Sequence, residues 1–501
     1  MEKQLKELKI LLMEASDLRR AAAVLSWDEM TYMPPGGAAA RGRQGALLSR
    51  LTHEKSINPS IGKLLDELRP YEESLPYDSD DASLIRVARR DYERAIKVPP
   101  QFLADYYEHI SKSYNAWVTA RPDNNFKALE PLLEKTVDLC RQLADFFPGY
   151  EHIADPLIDF NDYGMKATTL RSLFAQLRRE LIPIVQEITS QPAADDSCLR
   201  VPYPKADQFD FSLEVVKQIG FDLNRGRQDL TPHPFTTSFS RGDVRITTRV
   251  DENFLGDCLF SSIHEAGHAM YEQGVRTELE GTPLESATSA GVHESQSRTW
   301  ENLVGHSRGF WEYFYPKLTT KFPMQLKGVS LDKFYRAVNK VQRSLIRTDA
   351  DEVTYNLHIM IRFDIELALL EGNLLVRDLP EYWHARYNAD MGLRAPDDRD
   401  GVMQDVHWFS GSVGGSFQGY TLGDIIGAQF YAKALAAHPE IPHEMTLGKF
   451  DTLLNWLIDN VYQHGNKFTP NELIERVTGG ALSVEPYLAY LRLKYGELYK
   501  L

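Results

Sequence analysis

Cysteine is scarce: Cys140, Cys198 and Cys258 are the three in a chain of 501 residues. So few, so widely spaced, exclude a disulfide framework and a thiolate metal site, and free thiols in a reducing compartment are expected. Basic residues are outnumbered, 56 Lys and Arg against 71 Asp and Glu, for a formal charge of -15. A chain without a basic stripe cannot neutralise many phosphates, so neither nucleic acid nor an anionic membrane surface is an expected partner. No apolar run approaches the roughly 20 residues that cross a bilayer. The opening MEKQLKELK lacks the charged-then-apolar layout of a secretory signal, which gives a cytoplasmic expectation. Repeats, low-complexity tracts and flexible linkers are missing too: the irregular stretches at 70–80, 190–206 and 392–401 are short.

What the chain has is helical periodicity. Leu5, Leu8, Leu12 and Ala15 recur at helix spacing, as do Leu170, Leu173, Phe174, Leu177 and Leu181 behind the cap-like Thr168 and Thr169. Ser330 is a good N-cap for a helix carrying Phe334, Val338 and Val341, and a further helix runs through Leu357, Met360, Ile361 and Leu367. One segment reads otherwise. In PFTTSFSRGDVRITTRV, Val244, Ile246 and Thr248 alternate with polar residues, and Arg241-Gly242 supplies a turn, so a hairpin with a short exposed strand is expected. An exposed edge beside a catalytic helix can hold an extended peptide by main-chain pairing; a hairpin without a ligand fits the same pattern.

Just after that segment stands SSIHEAGHAM, residues 261–270, with His264, Glu265 and His268 in the order H-E-x-x-H. Histidines four apart share a helix face, so both imidazoles can reach one ion. Glu265 points off that line, where a carboxylate can act as general base instead of ligand. Ile263, Ala266, Ala269 and Met270 make the helix a buried one, and Gly274 can end it. Chance alone produces the pattern in on the order of one chain in a hundred, so a third ligand is the discriminating requirement. Downstream, GVHESQSRTWEN offers Glu294, 26 residues beyond His268, with His293 and Glu301 as competitors. The longer H-E-x-x-H-x-x-G-x-x-H form is excluded, because Tyr271 and Gly274 stand where it requires Gly and His.

HEAGH followed by HESQ at 293–296 resembles the M32 family of metallocarboxypeptidases, the thermostable carboxypeptidase Taq type. HPF at 233–235, DVRIT at 243–247, IRTDAD at 346–351, GVMQDVHW at 401–408 and WDEMTYMPPGG at 27–37 match the same family, so the resemblance covers nearly the whole chain. GGSFQGYTLGD at 414–424 agrees more weakly. The resemblance implies a single catalytic domain over 1–501, mainly α and gluzincin-like. It implies two helical lobes flanking a deep groove, one zinc ion per subunit at its floor, and a homodimer. Cobalt or manganese could occupy the same N and O donors. The implied activity is release of single C-terminal residues from peptides with broad selectivity.

Within that resemblance His264, His268 and Glu294 hold the metal, and Glu265 moves the proton. His407 or Tyr420 donates to the oxyanion. Arg347 grips the terminal carboxylate, a task suited to a planar, permanently charged fork, with Asp349, Asp351 or Glu352 to orient it. His233, Phe235, Asp243, Arg245 and Thr247 shape the groove or support the ligands. The five glycines from Gly411 to Gly423 lack a phosphate-cradle pattern and are read as a flexible loop at the groove. Two rivals stand against this reading: a zinc oligopeptidase cutting internally, and a helical binding or scaffold protein whose histidines fill a core.

Overall fold

The computed structural model describes residues 1–500. Among these, twenty-one α-helices surround one three-stranded sheet, the mainly α architecture that periodicity indicates. The helix Glu2–Thr31 buries Leu5, Leu8 and Ala15. Ser330 caps Leu331–Val338 by accepting from the Lys333 amide at 3.2 Å, and Val341 is buried beyond that helix's end. Tyr355–Glu371 is buried on nearly every side, so it is a central helix and not a surface one. Thr168 and Thr169 are not caps: the helix starts at Ala167, whose amide is satisfied from a distance by Asp155 Oδ1 at 2.8 Å. No helix among the described residues is long and apolar enough to cross a membrane.

The sheet departs from the expected hairpin in one respect. Strands β1 (Gly226–Leu230), β2 (Thr236–Ser240) and β3 (Asp243–Thr248) lie in the order β1-β3-β2, with β1 parallel and β2 antiparallel to β3. Arg241-Gly242 does turn the chain from β2 to β3. Yet β3 is the central strand, with Val244, Ile246 and Thr248 buried, and the edges of the sheet are β1 and β2. The reason is β1: its GRQDL has no β-branched or aromatic residue and gives no strand signal, but it pairs along the far side of β3.

The glycine-rich stretch is a second correction. From Gln418 onward it is not a loop but the start of a helix, Gln418–Ala437, buried along most of its length. Its Gly419 and Gly423 serve packing and not mobility, as the site makes plain.

Candidate active site

His264 and His268 sit on the helix Leu255–Gly274, with Ile263, Ala266, Ala269 and Met270 buried around them. Glu294 comes from the next helix, Ala290–Arg298, capped by the Ser289 hydroxyl, which accepts from the Val292 amide. Two glycines set the spacing. A Cβ on Gly267 would lie 2.7 Å from Gln296 O and from Ser297 Cα, and one on Gly423 would lie 2.4 Å from Glu294 Cγ. The Glu294 helix is thus clamped between two backbones that approach only because both lack side chains. Glu294 Oε2 consequently stands 3.7 Å from His264 Nε2 and 3.3 Å from His268 Nε2, with the three ligand atoms within 4.8 Å of one another.

Two imidazole nitrogens and one carboxylate oxygen converging in this way fit a divalent ion with a position left for substrate or water. The surroundings are arranged for the same end. His264 Nδ1 donates to Glu301 Oε2 at 2.8 Å, which turns Nε2 toward the cluster, and Arg298 Nε donates to Glu294 Oε1 at 2.8 Å, which leaves Oε2 for the imidazoles. Burial alone would lower the His264 pKa, but Glu294 and Glu301 outweigh it and raise it to about 9. Burial and His293 push His268 down to about 4. Burial would likewise raise Glu294, yet Arg298 and the two histidines hold it well below the carboxylate range. The carboxylates therefore favour positive charge where an ion would be gripped. Of the competitors, His293 turns to Glu272 Oε1 at 3.1 Å with its ring stacked on His268, and Glu301 is engaged by His264 and Arg298. Glu301 lies on a stretch of π-turns, Thr299–Gly305, a rare geometry that concentrates at functional sites.

Glu265 is buried beside the cluster, which raises its pKa. Thr236, the first residue of β2, donates its hydroxyl to Glu265 Oε2 at 2.6 Å and so fixes the carboxylate. Two cavities, of 1230 and 1450 Å³, meet here and share Pro234, His264, Glu265, Glu294 and Tyr420 as lining. His268 and His293 face only the first, Arg347 and Tyr355 only the second, so the groove has two unlike arms.

Arg347 lies beside the cluster in that second arm. Its Nε donates to Asp405 Oδ2 at 2.6 Å and its Nη1 to the Tyr355 hydroxyl at 3.2 Å. The nearby acids of its own segment do not orient it: Asp351 accepts from the Val353 and Thr354 amides, and Glu352 pairs with Lys494 at 2.7 Å. His407 bonds through Nδ1 to Asp405 Oδ1 and through Nε2 to the Tyr420 hydroxyl at 3.2 Å. Tyr420 faces both cavities; His407 stands behind it.

Two residues fall elsewhere. His233 is exposed and lines neither arm, although Pro234 and Phe235 beside it do. Arg245 pairs with Asp243 through two bonds of 2.8 Å and lies 4.3 Å over the Trp27 ring, tying the sheet to the N-terminal helix. Thr247 binds both the amide and the carbonyl of Phe235, at 2.8 and 3.0 Å, so DVRIT holds HPF in place. Sequence reasoning passed over Thr236, Arg298, Tyr355 and Asp405. Arg298 had a signal, four residues after Glu294 on one helix, and Asp405 stands inside the quoted GVMQDVHW; Thr236 and Tyr355 had none, being brought in by the fold.

Comparison with known proteins gives a consistent result. Residues 7–495 match the family model described as carboxypeptidase Taq (M32) metallopeptidase. Thermostable carboxypeptidase 1 of Thermus thermophilus is 42% identical over 97% of each chain. Carboxypeptidase 1 of Bacillus subtilis is 36% identical over 99% of each. The crystal structure of an M32 carboxypeptidase from Deinococcus radiodurans superposes with a TM-score of 0.97 at 47% identity, covering 100% of both chains. That of a Pyrococcus furiosus carboxypeptidase gives 0.95 at 30%, covering 99% of each.

Proposed function

Because the chain belongs to the carboxypeptidase Taq (M32) metallopeptidase family and is a metal-dependent carboxypeptidase, we propose that it takes one zinc ion at His264, His268 and Glu294 and removes single residues from free peptide C-termini with broad selectivity. The observation that carries this reading is the half-buried, permanently charged Arg347 facing the same cavity as His264, Glu265 and Glu294. Zinc bound there supplies Lewis acidity to the scissile carbonyl and to the attacking water. Arg347 binds the terminal carboxylate through the part of its fork that Asp405 and Tyr355 leave free, and thereby registers the last peptide bond beside Glu265. Glu265, held by Thr236, takes the proton of the attacking water and returns it to the leaving nitrogen. The Tyr420 hydroxyl, backed by His407, donates to the developing oxyanion. The body of the peptide lies in the other arm, beside the edge strand β2.

A single catalytic domain, a homodimer and a cytoplasmic location complete the reading, on the family resemblance and the three free cysteines. Light scattering should then give about twice 57.2 kDa, and a monomer mass would remove the dimer. The activity itself is tested by mass spectrometry of a free-C-terminal peptide and its amidated twin, incubated with zinc-loaded wild type and Glu265→Gln. A ladder shortened one residue at a time, absent with the amide and with the variant, is expected. Internal fragments from both peptides would make the protein an endopeptidase instead.

A further inference from the structure

Asp405 ties the two functions of the anchor arm together. Its Oδ2 accepts from Arg347 Nε at 2.6 Å and from Arg362 Nε at 3.1 Å, while its Oδ1 accepts from His407 Nδ1. Arg362 is fully buried and fixed by His358 O, the Tyr387 hydroxyl and Gln404 Oε1, at 3.0, 2.9 and 3.0 Å. Gln404 Oε1 also accepts from the Arg347 amide at 3.0 Å. The carboxylate is therefore held from the core side and cannot rotate away. We propose that Asp405 is a positioning residue that sets both the Arg347 fork and the His407–Tyr420 donor pair, so that one side chain couples capture of the peptide terminus to stabilisation of the oxyanion. The proposal rests on the Arg347 and Tyr420 assignments above.

The chemistry runs through hydrogen-bond polarity. An ionised carboxylate only accepts, so Nδ1 of His407 carries a hydrogen and the ring is fixed with Nε2 toward the Tyr420 hydroxyl. The Tyr420 hydroxyl, 3.2 Å from that Nε2, is thereby held in place where it lines both cavities. Burial would raise the Asp405 pKa, but His407 and then Arg362 and Arg347 hold it well below the carboxylate range, so the charge persists at any working pH. On the other oxygen, fixing Nε of Arg347 fixes the plane of the whole guanidinium and the direction of its free edge.

The test is steady-state kinetics of the zinc-loaded full chain on a free-C-terminal peptide, for Asp405→Asn alone and in Arg347→Ala and Tyr420→Phe backgrounds. Alone, the substitution is expected to raise KM and lower kcat, each by about tenfold or more, since displacements near 1 Å have effects of that size. In the Arg347→Ala background the KM effect should vanish and the kcat effect persist; in Tyr420→Phe the reverse. Equal factors in every background would mean that Asp405 only balances buried arginines, and would overturn the proposal. If Asp405→Asn does not fold, Asp405→Glu keeps the charge but shifts the oxygens, and unchanged kcat and KM in that folded variant would overturn it equally. A wild type that releases no terminal residue, or an Arg347→Ala enzyme with unaltered KM, would sink the anchor reading itself and the proposal with it.

Discussion

In the proposed role, Arg347 would meet substrate with two of its donors already engaged, by Asp405 and Tyr355, and this prior commitment would make its remaining edge a rigid receptor. Charge-assisted bonds are worth about 1.5–3 kcal/mol, so Arg347→Ala should raise KM roughly 10- to 150-fold with zinc content unchanged. Isothermal titration of a non-cleaved peptide against Glu265→Gln with and without the substitution checks the binding component directly. Glu366 makes a different prediction. Buried against the Trp408 indole, which donates to it at 3.0 Å, its pKa is raised by burial to about 8. The folded state thus holds a proton that the unfolded chain has released, and the stability contributed here falls as pH rises from about 4.5 to about 8. Glu366→Gln should melt higher than wild type at pH 8 and no higher at pH 4, by calorimetry; a pH-independent difference would contradict the burial argument. At this scale the sequence was readable where chemistry is local. His264, Glu265 and His268 share one helical turn, whereas Glu294 was preferred to His293 and Glu301 on family resemblance, since the packing that aims it at the histidines is not written in spacing. His233 and Arg245, singled out by their motifs, take places away from the groove, and the neighbours Phe235 and Thr236 do the lining.

Among elements, the decisive contact is between the Leu255–Gly274 and Ala290–Arg298 helices. Gly267→Ala would force them apart by several tenths of an ångström or more, because its methyl meets backbone and not a yielding side chain. Zinc affinity should fall at least about tenfold, measured by competition with a chromogenic chelator. Gly42→Ala, on the open face of the helix Ala38–Ser56 with nothing near the added carbon, is the control and should stabilise by about 0.5–1 kcal/mol. Helices were legible because one apolar stripe per 3.6 residues survives in sequence. Strand β1 was not, since its pairing depends on β3 and not on its own residues. The Gln418 helix was hidden by glycines whose purpose, close approach to Glu294, exists only in three dimensions.

For the molecule as a whole, an ion held by the three proposed side chains from two helices would join parts that otherwise separate on unfolding. Chelation should therefore lower Tm, and zinc at a hundred times its Kd should restore about 2.7 kcal/mol of stability. The same titration on Glu294→Gln, read by differential scanning calorimetry, should show little of that increment; a full response would place the ion elsewhere. A deep groove was expected from family resemblance, and nothing in composition or periodicity announced it or its two unlike arms, because it is built by residues from His53 to Asn466.

Gly423 presses on Glu294 from a helix more than a hundred positions later in the chain, and that order matters during synthesis. A ribosome exposes HEAGH long before it has made the surface that aims the carboxylate. Such a nascent chain has the histidines without the clamp, and a release-arrested fragment ending before residue 423 should surrender zinc to a mild chelator as readily as an unfolded peptide. Loading with metal should then be a late step in the protein's maturation, with proteolytic potential unrealised until the Gln418–Ala437 helix has been made.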